Sequence, residues 1–402
     1  MIPTLYLTRN GLLEPLGQSQ VLAYLRGLSR HYAITLITYE KDEDARDTAR
    51  VEAAQRECLA LGIRWLPQRY RSRPKLLAPA LSMLRMLWLA VREVRRSKAR
   101  LIHARSYIPA AAAMVAGRLT NVPFIFDMRA LWPEELITAG RLRRGSLLHR
   151  VIVAAERACL RNAAGVVSLT YAGVEYLKTE YPEELEGQRI VVIPTCADLE
   201  KFVVPSLARA RKPKIHGCLG TVLSGWFRLE WLAAWFETVA RRDPEVHFEI
   251  VTRDDPDAVR MALQLSGGVA RRLSILSASP EDVPTVLCRH HVSTMFYAGG
   301  EVSEVGRSPT RMAEVLACGI PVVANAGVGD VARIISERRV GVVVEGPGLE
   351  AMERGAAELE DLLNDPDLPQ RCRAAAEAVF SLKSGTDRYC SLYSDILAEV
   401  AV

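Results

Sequence analysis

The chain has 402 residues, 49% of them apolar and 25% charged, with a formal net charge of +5. A chain of this length and ordinary composition buries large cores and reads as two globular domains, which excludes disordered and fibrous classes. The charge is uneven: residues 51–150 carry 19 Lys or Arg against 6 Asp or Glu, and residues 201–402 carry 23 against 27.

In chain order, the opening MIPTLYLTRN is strand-like and has no charged leader ahead of a long apolar run, so no signal peptide is expected. Strands are predicted over 4–7, 33–39, 101–104, 124–127, 165–170 and 190–193, alternating with helices over 20–29, 45–61, 81–97, 109–119 and 146–162. Within this half, residues 69–100 join a basic entry, an apolar helix centred on Trp88 and a basic exit. That pattern fits an anionic membrane surface or an anionic acceptor, and equally a core helix with solvated ends. Its apolar run over 76–91 is interrupted by Arg85 and is too short to span a bilayer, so no transmembrane helix is expected. Basic residues do not interleave with aromatics in a recognition motif, so no nucleic-acid partner is expected.

The second half repeats the scheme, with strands over 214–219, 247–251, 273–276, 292–296, 320–324 and 341–344. Two doubly wound, parallel-sheet α/β domains of the Rossmann type follow, over 1–200 and 201–385, with the break in the Pro-containing stretch 197–214 and a last helix over 386–402 packing back on the first domain. Open α/β sheets hold ligands at the carboxyl ends of their strands, so the site is expected in a central cleft faced by both domains. Asp255-Pro256-Asp257 reads as a solvated turn. The eight cysteines form no CxxC pair and lack a His at zinc spacing, which predicts reduced buried thiols, no metal and a cytoplasmic location.

The best-punctuated stretch is SPTRMAEVLACGIPVVAN, 308–325. Ser308 reads as an N-cap, Pro309 as the first helical residue, Gly319 as the left-handed C′ residue and Pro321 as a stop, giving a helix over 309–318. Backbone N–H groups near Ser308, Thr310 and Arg311, with the Arg311 guanidinium, form a candidate phosphate site, and Glu314 is a candidate acceptor for ribose hydroxyls. A routine Arg311–Glu314 surface pair explains the spacing equally well.

The segments EPLGQSQVLAYLRGLS, IHARSYIPA, FDMRALWPEE, VIPTCADLEKF, GCLGTVLSGWFRLE and SPTRMAEVLACGIPVV, in this order over nearly the whole chain, resemble the family 4 glycosyltransferases of GT-B fold, in the style of bacterial exopolysaccharide and lipopolysaccharide enzymes. The resemblance implies retaining transfer from a nucleotide-diphosphate sugar, bound mainly by the second domain, to a glycan or polyprenyl-diphosphate-linked acceptor, bound mainly by the first. It implies no metal and no other cofactor; the basic apolar segment 69–100 suits a polyprenyl-linked acceptor at the inner face of the cytoplasmic membrane, and a soluble acceptor stays open. It makes Ser308, Pro309, Thr310, Arg311 and Glu314 a nucleotide clamp, Gly220, Thr221 and Arg253 neighbours of the diphosphate, and Gly17 the floor under the transferred sugar. Asp127, Arg129 and His103 become the catalytic candidates, Arg129 standing where many relatives have a histidine. A structural Asp–Arg pair and a satisfied interior histidine are the plain alternatives for these three. Many relatives have a Glu-x7-Glu motif, but its first acid falls at Gly306. With no carboxylate nucleophile, a same-face attack is implied, the departing phosphate oxygen taking the acceptor proton. Two other readings stand beside transfer: a GT-B sugar-nucleotide epimerase using Asp127 and Glu134, and a non-catalytic sugar-nucleotide-binding subunit.

Overall fold

The computed structural model describes residues 1–70, 78–204, 214–279 and 281–399. Parts of the basic segment (71–77), of the predicted linker (205–213) and of the last predicted helix (400–402) lie outside the described residues. The chain divides into two compact units, Met1–Pro194 with Leu382–Val402, and Thr195–Ser381.

The first unit is built on seven parallel strands: β1 (Ile2–Thr8), β2 (Tyr32–Glu40), β3 (Arg64–Arg69), β4 (Leu101–Arg105), β5 (Phe124–Asp127), β6 (Gly165–Ser168) and β7 (Ile190–Val192). Their spatial order is β3-β2-β1-β4-β5-β6-β7, so the winding reverses between β1 and β4. The central strands are near-continuous apolar runs because helices cover both faces of a parallel sheet. Strand β3, RWLPQR, is absent from the sequence reading: it contains Pro67 and is mostly half-exposed. It survives at the sheet edge, where the missing Pro67 N–H removes no ladder bond on the open side. The helix Leu382–Glu399 belongs to this unit and starts four residues earlier than predicted. It buries Tyr389, Leu392, Tyr393 and Ile396, which fall on one face at helical spacing.

The second unit holds six parallel strands, β8 (Ile215–Leu219), β9 (His247–Val251), β10 (Leu273–Leu276), β11 (Val292–Met295), β12 (Val322–Asn325) and β13 (Gly341–Val344), in the order β10-β9-β8-β11-β12-β13. Two apolar clusters sandwich this sheet. One contains Trp235, Phe236 and Phe248, the other Met312, Leu316 and Phe380. Each such fully buried side chain contributes about 1.5–3 kcal/mol. The break predicted after residue 200 lies after Pro194, because the next residues are already tied into this unit. The Thr195 N–H donates to Ser308 Oγ at 3.1 Å, and the Ala197 N–H to Phe380 O at 2.9 Å.

Candidate functional site

In the first unit the chain places a buried polar cluster at the carboxyl ends of β4 and β5. Arg105 and Asp127 are register partners across these strands. Arg129 follows in a left-handed conformation, φ 60°, and Ser106 has φ 77°. These are the two non-glycine positive-φ residues, among those described, that do not follow a helix end. Such strain costs roughly 1–3 kcal/mol per residue and persists where the surroundings over-determine it. Here Ser106 donates its N–H to Asp127 O at 2.7 Å, locking the two loops together.

Asp127 is fully buried. Its Oδ2 accepts from the Tyr389 hydroxyl at 3.0 Å and from His103 Nε2 at 3.2 Å. The other ring nitrogen of His103, Nδ1, takes the Tyr393 hydroxyl at 2.7 Å, and Tyr6 stacks on the ring at 4.2 Å between centroids. Two guanidiniums share the single carboxylate: Arg105 Nη1 lies 3.6 Å from Oδ2 and Arg129 Nη1 3.8 Å from Oδ1, with side chains only 7% and 10% exposed. Burial by itself would raise the Asp127 carboxyl, but Arg129, His103 and Arg105 outweigh it and hold it down at about 2. Burial also pushes His103 below its usual value in spite of Asp127, so the ring is neutral, donates from Nε2 and accepts at Nδ1. The cluster therefore carries one positive charge in excess, and Arg129 Nε has no hydrogen-bond partner among the described residues.

The three catalytic candidates thus come together, with unequal access. His103 and Asp127 are 1% and 0% exposed; both ring nitrogens of His103 and Asp127 Oδ2 are bonded to protein groups, while Asp127 Oδ1 has no hydrogen-bond partner among the described residues and faces Arg129 at 3.8 Å. Tyr389 and Tyr393 are absent from the sequence reading. Their only signal is the four-residue spacing of two tyrosines on a distant helix. Gly17 is buried at the start of the helical segment after β1. A Cβ there would meet Gly11 O at 2.0 Å, so the loop folds directly over it, and only glycine fits.

In the second unit the loop after β8 carries Gly220 with φ 131°, its N–H donated to Val251 O at 3.0 Å, and then exposed Thr221. The next amides are already engaged: Asp254 Oδ2 accepts from Val222 N at 2.7 Å and Leu223 N at 3.0 Å. Arg253 is exposed and has no ion pair among the described residues. The Asp255–Asp257 stretch is not a plain turn. Asp255 caps the helix Pro256–Leu263, accepting from Ala258 N at 2.9 Å, with Pro256 at its first position. Arg228 donates to Gly299 O at 2.9 Å.

The helix predicted over 309–318 spans Thr310–Ala317. Ser308 is not its N-cap. Pro309 takes that position without a side-chain bond, and the Ser308 hydroxyl accepts the Thr195 N–H instead, which places Ser308 in the packing of residues 195–197. Gly319 turns the chain at φ 73° as predicted. Arg311 Nη1 and Glu314 Oε2 form the i,i+3 pair at 2.6 Å, with Arg311 41% exposed and Glu314 14%. Just upstream, Arg307 stacks on Trp226, 4.3 Å from the ring centroid, and pairs with buried Glu304 at 2.9 Å. Neither contact is visible in the spacing.

Two family models divide the chain between them. Residues 17–201 match the model described as Glycosyltransferase Family 4, and residues 213–365 match Glycosyl transferases group 1. The chain is a family 4-type glycosyltransferase of GT-B fold. No curated protein matches this glycosyltransferase significantly. Among solved structures, a sucrose-phosphate synthase from Thermosynechococcus elongatus is similar with a TM-score of 0.72 at 15% identity, covering 99% of this chain and 100% of its own. The Anabaena protein HepE, solved with UDP and glucose, gives 0.64 at 15% identity, over 98% and 100%. The lipopolysaccharide outer core galactosyltransferase WaaB gives 0.66 at 13%, over 98% and 99%. At these identities the likeness is one of fold. In this glycosyltransferase the position of the missing first acid, Gly306, is buried at the end of the short helix Val302–Val305.

Proposed function

We propose that this glycosyltransferase moves a hexosyl unit, with retention and without a metal, from a nucleotide-diphosphate sugar to a glycan or polyprenyl-diphosphate-linked acceptor in cell-surface polysaccharide assembly. The observation that carries this reading is the excess buried positive charge of Arg105 and Arg129 beside Asp127, a preorganised seat for the charge that develops on a departing diphosphate. Arg129 is the catalytic residue in this scheme, and Asp127 and His103 are positioning residues. The departing phosphate oxygen takes the acceptor hydroxyl proton as the new glycosidic bond forms on the same face. Glu314 and the amides at Thr310 and Arg311 hold the ribose and phosphate, while Gly220, Thr221 and Arg253 border the diphosphate.

The UDP complexes of HepE make UDP-sugars the first donors to try. The lipopolysaccharide galactosyltransferase among the similar folds supports a surface-polysaccharide acceptor. No helix among the described residues is long and apolar enough to cross a membrane. A peripheral place at the inner face of the cytoplasmic membrane is supported by the helix Ala78–Ser97, which exposes Met83, Leu84 and Trp88, with Arg92 4.8 Å over the Trp88 ring. The epimerase reading loses its two acids, since Asp127 is inaccessible and Glu134 is bonded to Arg144.

Incubation with a panel of nucleotide sugars tests the proposal. Transfer chemistry releases free nucleotide slowly even without acceptor, and faster with one. Conversion of the donor without release would make the chain an epimerase, and thermal stabilisation without turnover a silent binding subunit.

A further inference from the structure

At the carboxyl edge of the first sheet, around the reversal between β1 and β4, a cavity of about 320 Å³ opens. Reversals of this kind are where open α/β sheets take ligands, and the volume falls at the lower end of small-molecule sites, roughly 300–1,000 Å³. Five strand ends supply its wall: Arg9 follows β1, Tyr39 and Lys41 flank the end of β2, Tyr70 follows β3, and the loops after β4 and β5 close it, the latter with Trp132.

Its charge is lopsided. Arg9 has no ion pair among the described residues, and its guanidinium lies 5.4 Å over the Tyr70 ring. Lys41 is 3.6 Å from Glu14, the single acid in the wall. The neighbouring Glu40 is not part of the wall, and its carboxylate is held by Leu12 N, Leu13 N and the Thr38 hydroxyl. Arg85 adds its field at Tyr39.

Tyr39 is the telling residue. It is 2% exposed, it lines the cavity, and its hydroxyl has no hydrogen-bond partner among the described residues. A buried polar group left in that state is destabilising, and an accepting ligand removes the penalty. Burial pushes this hydroxyl up to about 12, so it meets a ligand as a donor. Tyr70 and Trp132 offer the amphipathic rings on which sugars pack.

We infer that this cavity is an acceptor subsite for a saccharide bearing an oxyanion, with Arg9 and Lys41 facing the anion, Tyr39 donating to it, and Tyr70 and Trp132 against the sugar ring. The word acceptor rests on the transfer reading above; the anionic-saccharide site does not. The oxyanion is either a uronate carboxylate or a phosphate on the sugar, and the two share the same chemistry here.

Titrating the full chain with methyl β-glucuronide, glucose 1-phosphate and methyl β-glucoside, and in parallel with UDP and GDP, tests the inference. One or both anionic sugars should bind at least tenfold more tightly than the neutral glucoside, and which one binds identifies the anion. Arg9→Ala should weaken that binding at least tenfold. Tyr39→Phe should weaken it about fivefold or more while leaving the melting temperature unchanged or raised, since it deletes a hydroxyl with no partner. Nucleotide affinity should not move in either variant. Equal binding of neutral and anionic sugars would overturn the inference, as would wild-type anionic-sugar affinity in both variants or a parallel loss of nucleotide affinity. Anionic-sugar binding without any nucleotide binding would leave the cavity standing and sink the transfer reading.

Discussion

At the scale of single residues, the candidate residues of each unit differ in how much of their chemistry a sequence can carry. Glu314 and Arg311 are local: three positions apart on one helix, they meet as the spacing requires, and their bond is half in solvent. Glu314→Gln is therefore expected to cost the fold less than about 1 kcal/mol. If the carboxylate holds the donor ribose, the same change weakens nucleotide binding by about 1.5–3 kcal/mol, tenfold or more in Kd. Calorimetric titration beside a thermal melt separates the two, and a large loss of stability at unchanged nucleotide affinity would remove Glu314 from the clamp. Asp127 is the opposite case, a carboxylate that anchors Arg105, Arg129, His103 and Tyr389 with no access to solvent. Asp127→Asn leaves two buried guanidiniums without their counter-charge, and a loss of about 3–5 kcal/mol is expected in urea unfolding. Unchanged stability would show that the two guanidiniums do not depend on Asp127 as their counter-charge.

At the scale of elements, the helices and strands follow from periodicity wherever both faces are buried, and the exceptions have local causes. The edge strand β3 gives no strand signal in the sequence because Pro67 interrupts a short run flanked by Arg64, Gln68 and Arg69, and only its place beside β2 makes it a strand. Ser308 has the ideal composition for an N-cap, yet its hydroxyl is drawn to Thr195, more than a hundred residues away in sequence. The helix Leu382–Glu399 illustrates the reverse: its helical pattern is legible, and its importance is not. Removing it after Ser381 strips Tyr389 from Asp127 and Tyr393 from His103, and exposes the surface that Leu392 and Ile396 cover, at Gly165 among others. Differential scanning calorimetry of the chain truncated at Ser381 should show the transition of Thr195–Ser381 retained and that of the first unit lost. A first unit that still melts cooperatively near its original temperature would show that the tyrosines are dispensable.

At the scale of the whole molecule, the two sheets repeat one topology, and both hold buried groups that titrate in acid. His216, on β8, is pushed by burial down to about 3, aided by His291 and Lys214. Its folded value lies below the unfolded one of about 6.5, so the unfolded chain takes up the proton first. The stability linked to His216 is thus complete above about pH 6.5 and is lost as the pH falls towards about 3. Asp127, held at about 2, has the same sign and loses its contribution between about pH 4 and pH 2. Thermal melts from pH 7 to pH 3 should fall steadily, and His216→Leu should flatten that slope for the second unit. A slope unchanged by the substitution would place the acid sensitivity elsewhere.

By itself the sequence determined what is periodic or local: the alternation of strands and helices, the two-domain count, the helix with Arg311 and Glu314, and the run of motifs that resembles family 4 glycosyltransferases. These are legible because apolar spacing, caps and turn residues act within a few positions of one another. The tertiary structure alone decided which polar groups share a charge and which stand without a partner. The seat of two arginines on one carboxylate and the gathering of Arg9, Tyr39, Lys41 and Tyr70 around one cavity depend on strand order, and the pairing of Asp127 with Tyr389 depends on where the last helix packs. A parallel sheet brings residues scores of positions apart to one edge, and nothing in the spacing of those residues records that meeting.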